Sequence, residues 1–374
     1  MRDEIYRDSF LGLDREVSRP PVNNFSRSAE GPLKEAVMGS LISEESSISS
    51  PKKACERRAR PSMRLIALRS VFLCTLALSS KVAWTASAPS SSDTSDGDCA
   101  SGQGVPLPPH VTHNGIAVTR PITETVELEE GRSVSMRSLH DDPELQLTYV
   151  HGLVGEDEIA DLVRLAEARQ GWVRSPLKTQ GAGELLESDH RNSSSCPMLW
   201  PLVYDSRREE LAARNPLLID ELDLVSHLMH RVAALFSATG MEVSARHIEP
   251  LQLVRYAATE RFGPHHDYHE YNADGKLGSS VQGEQRAFTV LVFGATLGPD
   301  AGGETHFPHL HVSVAPRLGD ALVWANVGAD GAPNPRSLHE GRPPAAGNGK
   351  LAINVWVCDR EFTTSETLER VVRT

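Results

Sequence analysis

His265-x-Asp267 is the pair of residues in this chain whose types and spacing most directly offer chemistry. Two positions apart on an extended backbone, an imidazole and a carboxylate point to the same side. Two ligands do not make a metal site, and the best third is His339, in Pro335-Arg-Ser-Leu-His339-Glu-Gly, 74 residues on. Two histidines and one carboxylate on one face of an ion leave three positions open, the arrangement that non-haem Fe(II) centres use toward dioxygen.

Eleven residues past His339, Lys350 opens the alternating run Lys350-Leu-Ala-Ile-Asn-Val-Trp356-Val. Leu351, Ile353, Val355 and Val357 share one face of such a strand, and Lys350, Asn354 and Trp356 share the other. The first face suits a core, and the second aims an ammonium and an indole toward the metal. A lysine is a point charge suited to a carboxylate, such as the distal carboxylate of 2-oxoglutarate, whose keto-acid end would take two of the open positions and O2 the third. His266 is the competing ligand, but it points away from Asp267 on a strand. The cluster His306-Phe-Pro-His309-Leu-His311 is a rival on residue type alone and has no acidic partner at two-residue spacing.

The ordered set Tyr256-x-x-x-x-x-Phe262-x-x-His265-x-Asp267-Tyr268, Gln285-Arg286, Gly302-Gly303-Glu304-Thr305-x-Phe307-Pro308, Pro316-x-x-Gly319-Asp320-Ala321 and Ser337-Leu338-His339-x-Gly341-x-Pro343 resembles the prolyl 4-hydroxylases, a family of Fe(II)/2-oxoglutarate-dependent dioxygenases. Upstream, Arg191-Asn-Ser-Ser is similar to that family's Arg-Thr-Ser-Ser segment, and the likeness spans about residues 143–362. It implies iron on His265, Asp267 and His339, and 2-oxoglutarate on Lys350, Tyr256, Thr305 and Trp356. Arg286 would lie near the peptide groove, although an exposed strand-start arginine explains it nearly as well. Phe262 stands where the family often carries a tyrosine facing substrate. The chain departs from the family in one spacing: His339 to Lys350 is a residue longer, and the extra glycine of Gly347-Asn-Gly-Lys350 falls in a turn, where insertion is tolerated.

The whole chain of 374 residues carries a formal charge of −12, and residues 1–62 and 63–88 contribute little of it. Beyond residue 88 stand 24 basic against 40 acidic side chains. Such a surface argues against nucleic acid as a partner. The five cysteines form no CxxC pair, which argues against a zinc cluster, and leaves a Cys196–Cys358 disulfide open.

Residues 1–62 are polar without a sustained apolar period and read as disordered. Residues 63–88 combine Met63-Arg-Leu-Ile-Ala-Leu-Arg69, an uncharged run over Ser70–Ser80 and a small-residue region. They read as a signal peptide or, with the basic cluster upstream, as a single-pass signal anchor. Either puts the catalytic part in the lumen of the secretory pathway, endoplasmic reticulum or Golgi. The segment 89–109 is a linker by composition, 110–142 a peripheral hairpin or extension, and 143–364 the dioxygenase domain.

The apolar period predicts helices over Glu156–Gln170 and from about Pro216 to Ala238, closed by Gly171 and Gly240. A strand is expected at Leu145–Val150, then short strands at Leu251–Tyr256, Phe288–Phe293, His311–Ala315, Ala321–Trp324 and Leu351–Val357. Two helices ahead of many short strands predict an α+β fold. The resemblance implies a double-stranded β-helix, or jelly roll, with flanking N-terminal helices. It also implies hydroxylation of proline in a peptide or protein, coupled to conversion of 2-oxoglutarate to succinate, with ascorbate as reductant. The alternatives are the same chemistry on another residue or small molecule, or an inactive jelly roll that binds peptides.

Overall fold

The computed structural model describes residues 109–365 apart from 129–130, 176–189, 274 and 279. The polar segment 1–62, the leader-like segment 63–88 and all but the last residue of the linker lie outside those residues. The expectation of a signal anchor is corrected: among the described residues no helix is long and apolar enough to cross a membrane.

The strands are β1 (Val111–His113), β2 (Ile116–Val118), β3 (Glu124–Glu127), β4 (Ser133–Ser138), β5 (Thr148–His151), β6 (Val173–Arg174), β7 (Ser194–Pro197) and β8 (Gln252–Tyr256). They continue as β9 (Phe262–His265), β10 (Arg286–Phe293), β11 (Thr305–Phe307), β12 (Val312–Val314), β13 (Ala321–Ala325), β14 (His339–Gly341) and β15 (Lys350–Cys358). Helices α1 (Glu156–Ala168), α2 (Pro201–Tyr204), α3 (Arg208–Arg214) and α4 (Leu217–Ala238) precede β8. The result is a mixed α+β fold with two antiparallel sheets. One has the order β2-β1-β12-β11-β14-β9, the other β3-β4-β5-β13-β10-β15-β8-β7-β6.

The central strand β10 is buried along its whole length. Its two faces are nonetheless sorted. Phe288, Val290 and Val292 join the core beneath the helices, while Leu291 and Phe293 join a second core shared with Phe307, Val312 and Val314 of the other sheet. Thr289 has the parity of that second, inter-sheet face and is fully buried. On β15 the same alternation sends Ile353, Val355 and Val357 to the helices and Ala352 between the sheets. Lys350 and Trp356 follow Ala352 to the inner face, as the sequence pattern requires.

Helix α4 buries Leu222, Val225, Leu228, Met229, Val232 and Phe236. The Phe236 ring meets Phe288 at a centroid distance of 5.1 Å. Asn215 Oδ1 accepts the Leu217 amide at the helix start, and Gly240, at φ +83°, ends it. Arg231 of α4 donates to both carboxylate oxygens of Glu158 in α1 at 2.8 Å, fixing the two helices on one sheet face. Strand Thr148–His151 starts later than the expected Leu145, because Gln146 turns through φ +54°. Cys196 and Cys358 are buried free thiols, so no disulfide joins them.

The segment 110–142 is built into the sheets rather than set apart. β3 and β4 pair with each other and β4 adds to β5, while β1 pairs with β12.

Candidate metal centre and co-substrate pocket

The short edge strand β9 and its neighbour β14 were not predicted, and they position the site. They pair antiparallel with His339 directly opposite His265. Asp267 follows β9 by two residues. Its Oδ1 lies 3.7 Å from His265 Nε2 and its Oδ2 3.7 Å from His339 Nε2. Candidate ligand atoms of all three fall within 4.8 Å of one another.

Each imidazole is oriented by a carbonyl two residues before it, on β9 for His265 and in the turn Pro335–Ser337 for His339. His265 Nδ1 donates to the Gly263 carbonyl at 2.8 Å, and His339 Nδ1 donates to the Ser337 carbonyl at 2.9 Å. A carbonyl can only accept, so the proton sits on Nδ1 and the Nε2 lone pair is left for an ion. Burial would raise the Asp267 carboxyl, yet His339 and His265 beside it hold it below the usual carboxylate range. Burial, reinforced by His339, pushes His265 well down. An ionised carboxylate beside two imidazoles that carry a proton on Nδ1 and turn Nε2 toward it is the donor set that a divalent cation needs.

The second group forms where β8, β11 and β15 meet. Lys350 stands opposite Tyr256 across β15 and β8. Its Nζ donates to Thr305 Oγ1 at 3.3 Å and lies 5.6 Å from the Tyr256 ring centroid. Lys350 is only 4% exposed, and burial lowers its pKa to about 8, against a smaller upward pull from Glu304. A side chain on Gly341 would come within 3.5 Å of Tyr256 Oη and 3.8 Å of Lys350 Nζ, so the glycine leaves a cradle open there. The extra residue before Lys350 is absorbed in a turn in which Asn348 N donates to the Ala345 carbonyl and Gly347 takes φ +82°. The register of β15 is therefore intact.

Trp356 is not part of that group. Six residues of strand, roughly 20 Å, separate it from Lys350. It pairs with Thr289 of β10, on the Asp267 side, and its buried Nε1–H has no partner among the described residues.

Arg286 is not an exposed strand-start residue. It is buried, donates to both Glu249 oxygens at 2.7 and 2.6 Å, and stacks over Trp356 at 3.6 Å. A fork fully engaged in this way supports the wall beside Asp267 rather than reaching into open space.

Phe262 stacks on the His265 ring at 3.5 Å between centroids, with the Arg191 guanidinium 4.4 Å from the Phe262 ring centroid. His266 turns to Ser337 and stacks on Tyr268. His306 bonds to Val312 O and Ser313 Oγ, and among the described residues no triad forms from the His306–His311 cluster. A second convergence, Glu249, His269 and Glu284, already has the Arg286 cation on Glu249.

Thr289, Asn326 and Trp324 escaped the sequence reading. Thr289 Oγ1 donates to Asp267 Oδ2 at 2.8 Å. The one available signal was a lone hydroxyl inside the apolar run Arg286–Phe293.

Residues 251–358 match the 2OG-Fe(II) oxygenase superfamily. Prolyl 4-hydroxylase 1 of Arabidopsis thaliana is 32% identical over 142 residues, covering 34% of this chain and 46% of that protein. Prolyl 4-hydroxylase subunit alpha-1 of Rattus norvegicus is 28% identical over 226 residues, covering 59% of this chain and 36% of that subunit. The chain thus spans less than half the length of these relatives. Among solved structures, a viral collagen prolyl hydroxylase from Paramecium Bursaria Chlorella virus-1 aligns at 17% identity and a TM-score of 0.42, over 57% of this chain and 95% of that one. Over residues 251–358 the chain is similar to the 2OG-Fe(II) oxygenase superfamily, and its curated relatives are prolyl 4-hydroxylases.

Proposed function

We propose that this protein is an Fe(II)- and 2-oxoglutarate-dependent dioxygenase that hydroxylates proline in a peptide or protein, built on a double-stranded β-helix. One observation carries this reading. A buried His265–Asp267–His339 triad shares a fold interior with a buried ammonium whose hydrogen-bond partner is a neutral hydroxyl. Lys350 can accept a carboxylate there at little cost, since the desolvation of its charge is already met by the fold.

His265, Asp267 and His339 would hold the iron, and Lys350, Thr305 and Tyr256 the distal carboxylate of 2-oxoglutarate. The iron so bound supplies activation of O2 coupled to decarboxylation of the keto acid to succinate and CO2. The protein's own work is positioning. Nδ1–H bonds keep both imidazoles in one tautomer, Lys350 fixes the far end of the co-substrate, and Phe262 covers the His265 face. Trp356 Nε1–H, buried without an acceptor, offers a donor on the metal side. Ascorbate as reductant and a secretory-pathway lumen belong to the same proposal, the latter on the leader-like residues 63–88 alone. The same chemistry on another target is the rival reading, motivated by Phe262 standing where a substrate-facing tyrosine is usual.

Incubation with Fe(II), 2-oxoglutarate, O2 and a proline-rich peptide library tests the proposal by mass spectrometry. The expected result is a gain of one oxygen on a proline with equimolar succinate. Succinate release that needs neither iron nor peptide would refute it.

A further inference from the structure

The buried polar chain behind Asp267 has a fixed direction. Trp324 Nε1–H donates to Asn326 Oδ1 at 3.0 Å. An indole nitrogen can only donate, so the Asn326 oxygen must face Trp324 and its amide NH2 must face the other way. Asn326 Nδ2 then donates to Thr289 Oγ1 at 2.8 Å. Thr289 has one hydroxyl proton, and with a donor already aimed at its oxygen that proton is turned to Asp267 Oδ2, 2.8 Å away. Trp324, Asn326 and Thr289 are all fully buried, so no water competes to reverse any step. The indole that starts the chain also packs on His339, with ring centroids 4.7 Å apart at 62°.

We propose that Trp324, Asn326 and Thr289 form a one-way hydrogen-bond relay that positions Asp267. It occupies one lone pair of Oδ2 with an O–H donor, so that the less engaged Oδ1 is the oxygen offered to the metal, while the same tryptophan seats His339. Thr289 and Asn326 are positioning residues, since neither is placed to touch the ion. The proposal rests on the reading of His265, Asp267 and His339 as the metal site.

The relay is tested on the full chain by titrating Co(II) alone, without co-substrate, and following the visible absorption of the bound ion. Thr289→Val keeps the shape and removes the hydroxyl, so Co(II) affinity should fall about 10–100-fold, the range seen when a residue supporting a metal ligand is lost. The apo protein should still unfold cooperatively, with a midpoint lowered by no more than the orphaned Asn326 amide and Asp267 oxygen explain. Thr289→Ser should recover affinity to within about threefold, the hydroxyl being what matters. Asn326→Asp is the sharper variant. A carboxylate there cannot donate to Thr289, draws the hydroxyl proton to itself, and should weaken Co(II) as Thr289→Val does.

Wild-type affinity in Thr289→Val, or no recovery in Thr289→Ser, overturns the relay. If Asn326→Asp fails to fold, the valine and serine pair still decides. Wild-type protein that takes up no Co(II) defeats the metal-site reading and the relay with it, whereas tight uptake by wild type and Thr289→Val alike defeats the relay alone.

Discussion

His265 and His339 stand opposite each other across β9 and β14, with their ring centroids 4.3 Å apart. The sheet, not the loop between them, makes this contact, and both Nε2 atoms reach the same carboxylate. Removing one ring should therefore abolish the ion site without undoing the fold. His339→Ala is expected to weaken divalent-metal binding beyond the roughly 10–100-fold cost of losing a merely supporting residue. Metal at 100 times its dissociation constant stabilises a single-site protein by about 2.7 kcal/mol. Thermal unfolding with and without Co(II) should show that gain in wild type and none in His339→Ala.

Lys350 gives the co-substrate a defined pH dependence. Its pKa is lowered to about 8 by burial, below its unfolded value. A bound carboxylate favours the ammonium and raises the pKa again, so binding above pH 8 must take up a proton. Affinity for 2-oxoglutarate is expected to fall as pH rises through about 8, approaching tenfold per unit. Calorimetry in buffers of different ionisation enthalpy measures the proton directly. A flat affinity from pH 7 to 9 would mean that Lys350 does not meet the carboxylate. For stability the sign is opposite: forcing the charge into the fold costs free energy below pH 8, and that cost is relieved as pH rises toward the unfolded value.

The Arg286–Glu249 pair is bidentate and largely buried, at 11% and 14% side-chain exposure. Arg286→Met leaves the Glu249 carboxylate without its cation, a change expected to cost about 3–5 kcal/mol. Burial acting alone would raise the Glu249 carboxyl, but Arg286 holds it well below the ordinary range. The pair's contribution is therefore present above the unfolded glutamate value and is lost as pH falls below it. The double variant Arg286→Met, Glu249→Gln should recover most of the loss in urea unfolding. If the single variant unfolds at the wild-type midpoint, the pair is not what braces this wall.

Phe262 covers one face of the His265 ring at 3.5 Å. Phe262→Ala opens that face to water and removes a wall beside the metal. The expected outcome is more succinate released per peptide hydroxylated, with metal affinity changed by less than in His339→Ala. Unchanged coupling would show that the ring is only packing.

Alternating parity in Leu351–Val357 settled which side chains of β15 share a face, because strand geometry is local; the step from His265 to Asp267 runs past the end of β9, and the two still meet. The helical periods of Glu156–Ala168 and Leu217–Ala238 were legible for the same reason: an amphipathic stripe repeats within a few residues. Tertiary structure alone decided that His339 lies across from His265, through strands of four and three residues, too short to carry a pattern. It alone turned Arg286 inward, since nothing near position 286 in the sequence announces Glu249, 37 residues earlier. It decided, too, that Thr289 would reach Asp267, and that Trp356 would lie far along the strand from Lys350 despite sharing its face. Pairings between distant segments are fixed only when both cores close, because each is worth little until its neighbours have excluded water.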